Sequence, residues 1–165
     1  MCENIIFLNQ ILEADDFELD ENKLFFNGFK SQEKSEVILE TCVLLLTEIN
    51  SEDSLSRNLV FKIKEDNLLN RKFLQRICFI ENVINKLLNS KEYVKTNILP
   101  EKRISFKITN NTEFFKNNSK YETEHSDIKC LYKNVICKCL VKISDLTKTD
   151  DMYIYHIELL EIVIE

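Results

Sequence analysis

Residues 31–50 read SQEKSEVILETCVLLLTEIN, and whether they coil or extend decides the architecture. Ser31 is a suitable helix N-cap, and Glu33 and Glu36 would sit near the positive end of a helix dipole. Val37, Ile38, Leu39, Cys42, Val43, Leu44, Leu45, Leu46 and Ile49 would cover most of a helical circumference. This pattern predicts a helix over 31–50, buried centrally or in an interface.

Upstream, Ile5, Ile6, Leu8, Ile11 and Leu12 fit a short helix, with a strand at 5–8 as the alternative. Phe17 to Phe29 reads as a hairpin turning at Asp20-Glu21-Asn22, its second strand ended by Asn27-Gly28. Downstream, 51–56 is a polar loop. From 58 to 65, Leu59, Phe61 and Ile63 alternate with Lys62 and Lys64, which predicts a strand. Asp66 would cap a second helix running to about Asn89, with Phe73, Ile77, Ile80, Ile84 and Leu87 as its packing seam. From Arg103 the period becomes two, with Ile104, Phe106 and Ile108 on one side. A polar loop over 110–126 precedes strands at 127–133, 135–144 and 152–165, with turns at Asn134 and 146–151. The change of parity at Leu159-Leu160 predicts a β-bulge or a strand buried on both faces. The expected fold is therefore a single α+β domain over 1–165. It has an N-terminal β-hairpin and two long helices separated by a strand, with the helical portion in about 1–100. An antiparallel β-meander of about four strands occupies about 101–165.

The chain of 165 residues is 44% hydrophobic and 30% charged, as globular proteins are. It contains one glycine, one proline and one alanine, Ala14. Dinucleotide fingerprints and phosphate-cradling loops need several glycines, so both are excluded. The scarcity of Gly, Ala, Pro and Arg beside abundant Lys, Asn and Ile reads as the imprint of an AT-rich genome, which lowers the weight of any single Lys or Asn. The opening residues carry no basic segment before an apolar core, and no run approaches the ~20 apolar residues of a membrane span. The expectation is a cytoplasmic protein in a reducing compartment, away from membranes.

Little points to catalysis. His125 lies in the polar loop and His156 in a strand; each reads as an ordinary surface histidine. Cys130, Cys137 and Cys139 could form a zinc site with either, but C-x6-C-x-C set among valines and isoleucines lacks knuckle spacing. Cys137 and Cys139 share a face with Val135, Val141 and Ile143, so they read as buried thiols. The carboxylate pairs Asp15-Asp16 and Asp150-Asp151 fall in loops. No catalytic residue, metal or cofactor is expected, and the chain is read as non-enzymatic.

Charge supplies the remaining signal. Residues 1–56 hold 13 acids and three bases, 57–148 hold 19 bases and ten acids, and 149–165 hold five acids and no base. Asp15, Asp16, Glu18, Asp20 and Glu21 would crowd the hairpin tip, where a basic protein would relieve their repulsion. In the basic block, strand parity aligns Arg103 with Lys107, Lys129 with Lys133, and Lys138 with Lys142, predicting a basic row across the C-terminal sheet. The leading expectation is a protein–protein module whose partner is a protein with a basic surface, or a second copy of the chain. It would be an assembly subunit or a small acidic inhibitor of the immunity-protein kind. The alternative is a nucleic-acid-binding accessory protein using the basic sheet.

Overall fold

The computed structural model describes residues 5–28, 34–53, 56–88, 92–117, 119–121 and 133–165. In chain order the elements begin with β1 (Ile5–Ile6), a 3-10 turn (Ala14–Asp16), β2 (Phe17–Asp20), β3 (Lys23–Phe26), β4 (Ser35–Glu36), β5 (Ile38–Glu40), β6 (Leu44–Asp53) and β7 (Ser56–Lys62). Helix α1 (Leu68–Leu87) and β8 (Ile98–Leu99) follow. The remainder is β9 (Arg103–Lys116), β10 (Ser119–Tyr121), β11 (Ile136–Ile143), β12 (Thr147–Lys148), β13 (Tyr153–Ile154) and β14 (Ile157–Ile164).

The described part of 31–50 is extended, which corrects the expectation of a first long helix. Val37, Leu39, Leu44 and Leu46 are buried, while Ile38, Val43 and Leu45 between them are only half-buried. This is period-two burial with one slip of phase at Thr41-Cys42, where two consecutive residues turn inward. The slip conceals the alternation and makes the apolar residues seem to surround a helix. At the slip the ladder is kept by Thr41, whose amide donates to Cys139 O at 3.0 Å while its Oγ1 accepts from the Cys139 amide at 2.9 Å. Thus β5 and β6 act as one bent strand along β11.

That bent strand closes a barrel. Strand β6 pairs with β7, β7 with β9, β9 with β14, β14 with β11, and β11 again with β6. The β14–β9 pair is parallel and the other four are antiparallel. A meander would pair sequence neighbours, so the expected C-terminal meander is also corrected. The last strand lies between β9 and β11, and both ends of the chain's ladder meet through β6. The expected bulge is present: Leu140 faces Glu161 and Val141 faces Leu159, leaving Leu160 as the extra residue.

The hairpin at 17–26 forms with Glu21 in the left-handed region at φ 53, and β4 extends it to a three-stranded sheet. A Cβ at Gly28 would run into the Phe26 ring. Helix α1 begins one residue later than its sequence suggests, capped by Asn67, whose side chain accepts from the Asn70 amide at 2.8 Å. Of its expected seam, Phe73, Ile77, Ile80 and Ile84 are fully buried and belong to the same core as the barrel interior, whereas Leu87 is exposed. Full burial of each side chain contributes roughly 1.5–3 kcal/mol. Glu81, also buried, accepts from Tyr155 Oη at 2.7 Å and from the Asn97 amide at 2.8 Å, tying α1 to the chain that enters β8 and β14.

Candidate functional site

Strand alternation sends Leu59, Phe61, Ile104 and Phe106 into the barrel and their neighbours out. On the outer side of β7 and β9, Lys62 stands directly opposite Arg103, Val60, itself buried, opposite Ser105, and Asn58 opposite Lys107. At ~3.3 Å per residue, the Lys62–Arg103 pair and Lys107 are about 13 Å apart along the strands. Arg103 is steadied by Glu48, Nη1 to Oε1 at 2.8 Å, and by Pro100 O at 3.2 Å. Among the described residues neither Lys62 nor Lys107 has a carboxylate within ion-pair distance. Further along β9, Thr112 Oγ1 donates to Leu159 O at 2.6 Å and accepts from the Thr109 amide at 3.0 Å, a bulge that leaves Asn110 and Asn111 exposed.

The expected basic row is divided by β14. Arg103 and Lys107 lie on β9, Lys138 and Lys142 on the outer side of β11, and between them β14 presents Glu158 and Glu161. Lys142 is engaged by Glu158 at 3.3 Å and Glu36 at 3.8 Å. Lys133 is exposed in the turn before β11, and Lys129 lies outside the described residues. Lys62 completes the pair with Arg103. Its outward parity was legible in the sequence, but its partner strand was not, because the two residues are separated by a helix and forty positions.

The acidic tip is partly neutralised from within. Lys34 bonds Glu18 at 2.8 Å and Asp20 at 3.4 Å, and the Lys34 hydrogen bond holds the Glu18 carboxyl below its ordinary range. Asp15 and Asp16 form the 3-10 turn, where Asp16 accepts from the Glu13 amide at 2.8 Å, and Glu21 occupies the hairpin turn.

His125 and Cys130 lie outside the described residues. His156 is exposed, with its amide donating to Ser144 Oγ at 2.8 Å. Cys42, Cys137 and Cys139 are buried in the barrel. Burial pushes the Cys42 thiol up to about 12 and the Cys139 thiol well above its usual range, so neither is a thiolate at neutral pH. Among the described residues no three Cys, His, Asp or Glu side chains converge on a metal-sized site, and no helix is long and apolar enough to cross a membrane.

No family model matches the chain, and no curated protein matches it. Solved structures do. The single-stranded DNA-binding protein of bacteriophage Enc34 superposes with a TM-score of 0.54 at 9% identity, over 89% of this chain and 86% of that one. Its C-terminally truncated form gives 0.55 at 9% identity, over 93% and 96%. The same phage protein in complex with single-stranded DNA gives 0.53 at 10% identity, over 90% and 92%. At such identities the likeness is one of fold, and the closed five-stranded barrel is of the OB type. It overturns the reading of the chain as an acidic inhibitor or protein–protein module. With that goes the placing of nucleic acid behind a basic protein partner.

Proposed function

We propose that the chain is a non-catalytic nucleic-acid-binding protein that holds a single strand across the outer face of β7 and β9. The observation that carries this reading is the Lys62–Arg103 pair with Lys107 on the second and third strands of the barrel, the face that OB barrels commonly use for oligonucleotides. Lysine and arginine there supply phosphate contacts, which release counterions and give affinity without base sequence. Ser105 and Asn58 between and beside them add neutral hydrogen-bonding groups. The likeness to a phage protein that binds single-stranded DNA supports the same reading.

The test is fluorescence anisotropy with a labelled oligothymidylate over a salt series. The protein binds at low salt. Reversing Lys62 and Lys107 to glutamate weakens binding by about tenfold or more and flattens the log–log salt slope by about 1.4, two contacts at ~0.7 each. Absence of binding at low salt, or a double reversal indistinguishable from wild type, overturns the proposal.

A further inference from the structure

The chain has four arginines, and all lie in one continuous stretch: Arg57 on β7, Arg71 and Arg76 on α1, and Arg103 on β9. In a composition where lysine is abundant, arginine is the better guide to phosphate recognition, because its planar fork fits phosphate geometry in two bonds. Arg103 stands on the proposed barrel face, Arg57 lies at the far end of β7 on the inward parity of Leu59 and Phe61, and two fall on the helix that joins the strands.

Helix α1 carries Arg71, Lys72, Arg76 and Lys86, and its one carboxylate, Glu81, is turned inward and buried. At 100° per residue, Arg71, Lys72, Gln75, Arg76, Asn82 and Lys86 occupy one side of the helix. All six are exposed or half-exposed. Among the described residues none of the four cations has a carboxylate within ion-pair distance. For a chain of net charge -6, a helical face of four cations and two amides without an exposed acid is a local reversal of sign. From Arg71 to Lys86 it extends about 22 Å.

The start of this helix lies beside the barrel face. Asn70 Nδ2 donates to Lys64 O at 2.5 Å and the Ile63 amide donates to Lys102 O at 3.0 Å, so the first turn of α1 is fastened beside the Lys62–Arg103 end of β7 and β9. Glu65, Asp66 and Glu101 lie at that junction, with Glu65 already bound to Lys102. They are outnumbered by Lys62, Lys64, Lys102, Arg103, Arg71 and Lys72.

We infer that a bound single strand leaves the barrel at the Lys62–Arg103 end and continues along the exposed face of α1, held there through its phosphates by Arg71, Lys72 and Lys86. This rests on the proposed nucleic-acid binding and extends its footprint beyond the barrel. It implies a length threshold: a strand that fills the barrel face alone gains nothing from the helix, whereas a longer one does.

The experiment compares labelled oligothymidylates of about 8 and about 25 nucleotides, the shorter within the 4–16 nucleotides one OB barrel covers. The variant reverses Arg71, Lys72 and Lys86 to glutamate, with folding checked by circular dichroism. Arg76 is left intact because its guanidinium also donates to the carbonyls of Phe7, Leu8 and Gln10. The triple variant binds the longer strand about tenfold or more weakly, with a salt slope reduced by about 2, and binds the shorter one within about twofold of wild type. If it misfolds, Arg71→Gln with Lys86→Gln carries the same length-dependent loss at smaller size. Equal binding of the longer strand by variant and wild type, or an equal loss at both lengths, overturns the inference. Failure of the underlying reading is distinct: the wild-type protein then binds neither strand.

Discussion

The outer sides of β9 and β11 are built from similar residues and end up in different electrostatic conditions. Each carries two cations four positions apart, Arg103 and Lys107 on one, Lys138 and Lys142 on the other. On β9, Arg103 has a single carboxylate partner and Lys107 has none among the described residues, while Lys62 adds a further cation from β7. On β11, Lys142 is bound between Glu36 and Glu158, with Glu161 at the next outward position of β14, while Lys138 stands opposite Val163. A lysine attracts a phosphate only to the extent that its neighbours leave its field uncompensated. What separates the two regions is the strand inserted between them, and the bent β5–β6 strand that joins them round the back.

Breaking that joint should have the largest effect. Leu46 is fully buried opposite Phe61, whereas Leu45 is half-buried on the outside between Lys62 and Ile136. Leu46→Asp should cost several kcal/mol, because it buries an unpaired charge, and should remove cooperative unfolding by heat. Leu45→Asp should leave a folded protein. Equal damage from the two substitutions would contradict the extended register.

The next effect compares the two faces directly. If β9 and not β11 binds, Lys138→Glu should change oligothymidylate affinity by less than about twofold at the salt where the Lys62 and Lys107 double reversal loses about tenfold. Comparable losses would erase the distinction.

A smaller effect concerns stability. The Lys23 hydrogen bond, above all, holds the Glu36 carboxyl below its ordinary value near 4.5, with the charge of Lys142 adding to it. A carboxylate held low stabilises the fold above its unfolded value and loses that contribution as pH falls below about 4.5. Lys142→Ala should therefore lower stability by about 0.5 kcal/mol at neutral pH, with little difference from wild type at pH near 3. Melting temperatures across that range check it.

The smallest effect runs the other way. Glu158 lies opposite Lys107 across the parallel pair. Glu158→Gln should strengthen oligonucleotide binding by about twofold at low salt and nothing measurable at high salt, where screening removes the difference.

Local pattern carried much of this structure in the sequence. Ile104, Phe106 and Ile108 marked a strand by alternation, Phe73, Ile77, Ile80 and Ile84 marked α1, and the parity change at Leu159-Leu160 marked a bulge. The barrel itself was not legible. Its closure rests on Leu44 meeting Cys137 and Leu45 meeting Ile136, contacts over ninety residues apart for which no periodicity names a partner. The slip at Thr41-Cys42 then disguised the closing strand as a helix. The candidate site suffered the same way: the outward parities of Lys62, Arg103 and Lys107 were readable, but their adjacency depended on pairing, as did the glutamates that occupy Lys142.

The position of β14 also governs how the chain reaches this state. It is the last strand in the sequence, yet it fills the gap between β9 and β11. Until residues 157–164 are available, both of those strands present unpaired edges, and the barrel lacks its one parallel ladder. Local contacts can form the β6–β7 hairpin and α1 early, but closure waits on pairings of long sequence separation, the slow class of folding event. Open β edges are also templates for intermolecular pairing. A chain shortened by its final strand should therefore accumulate as aggregate, rather than persist as a smaller soluble domain.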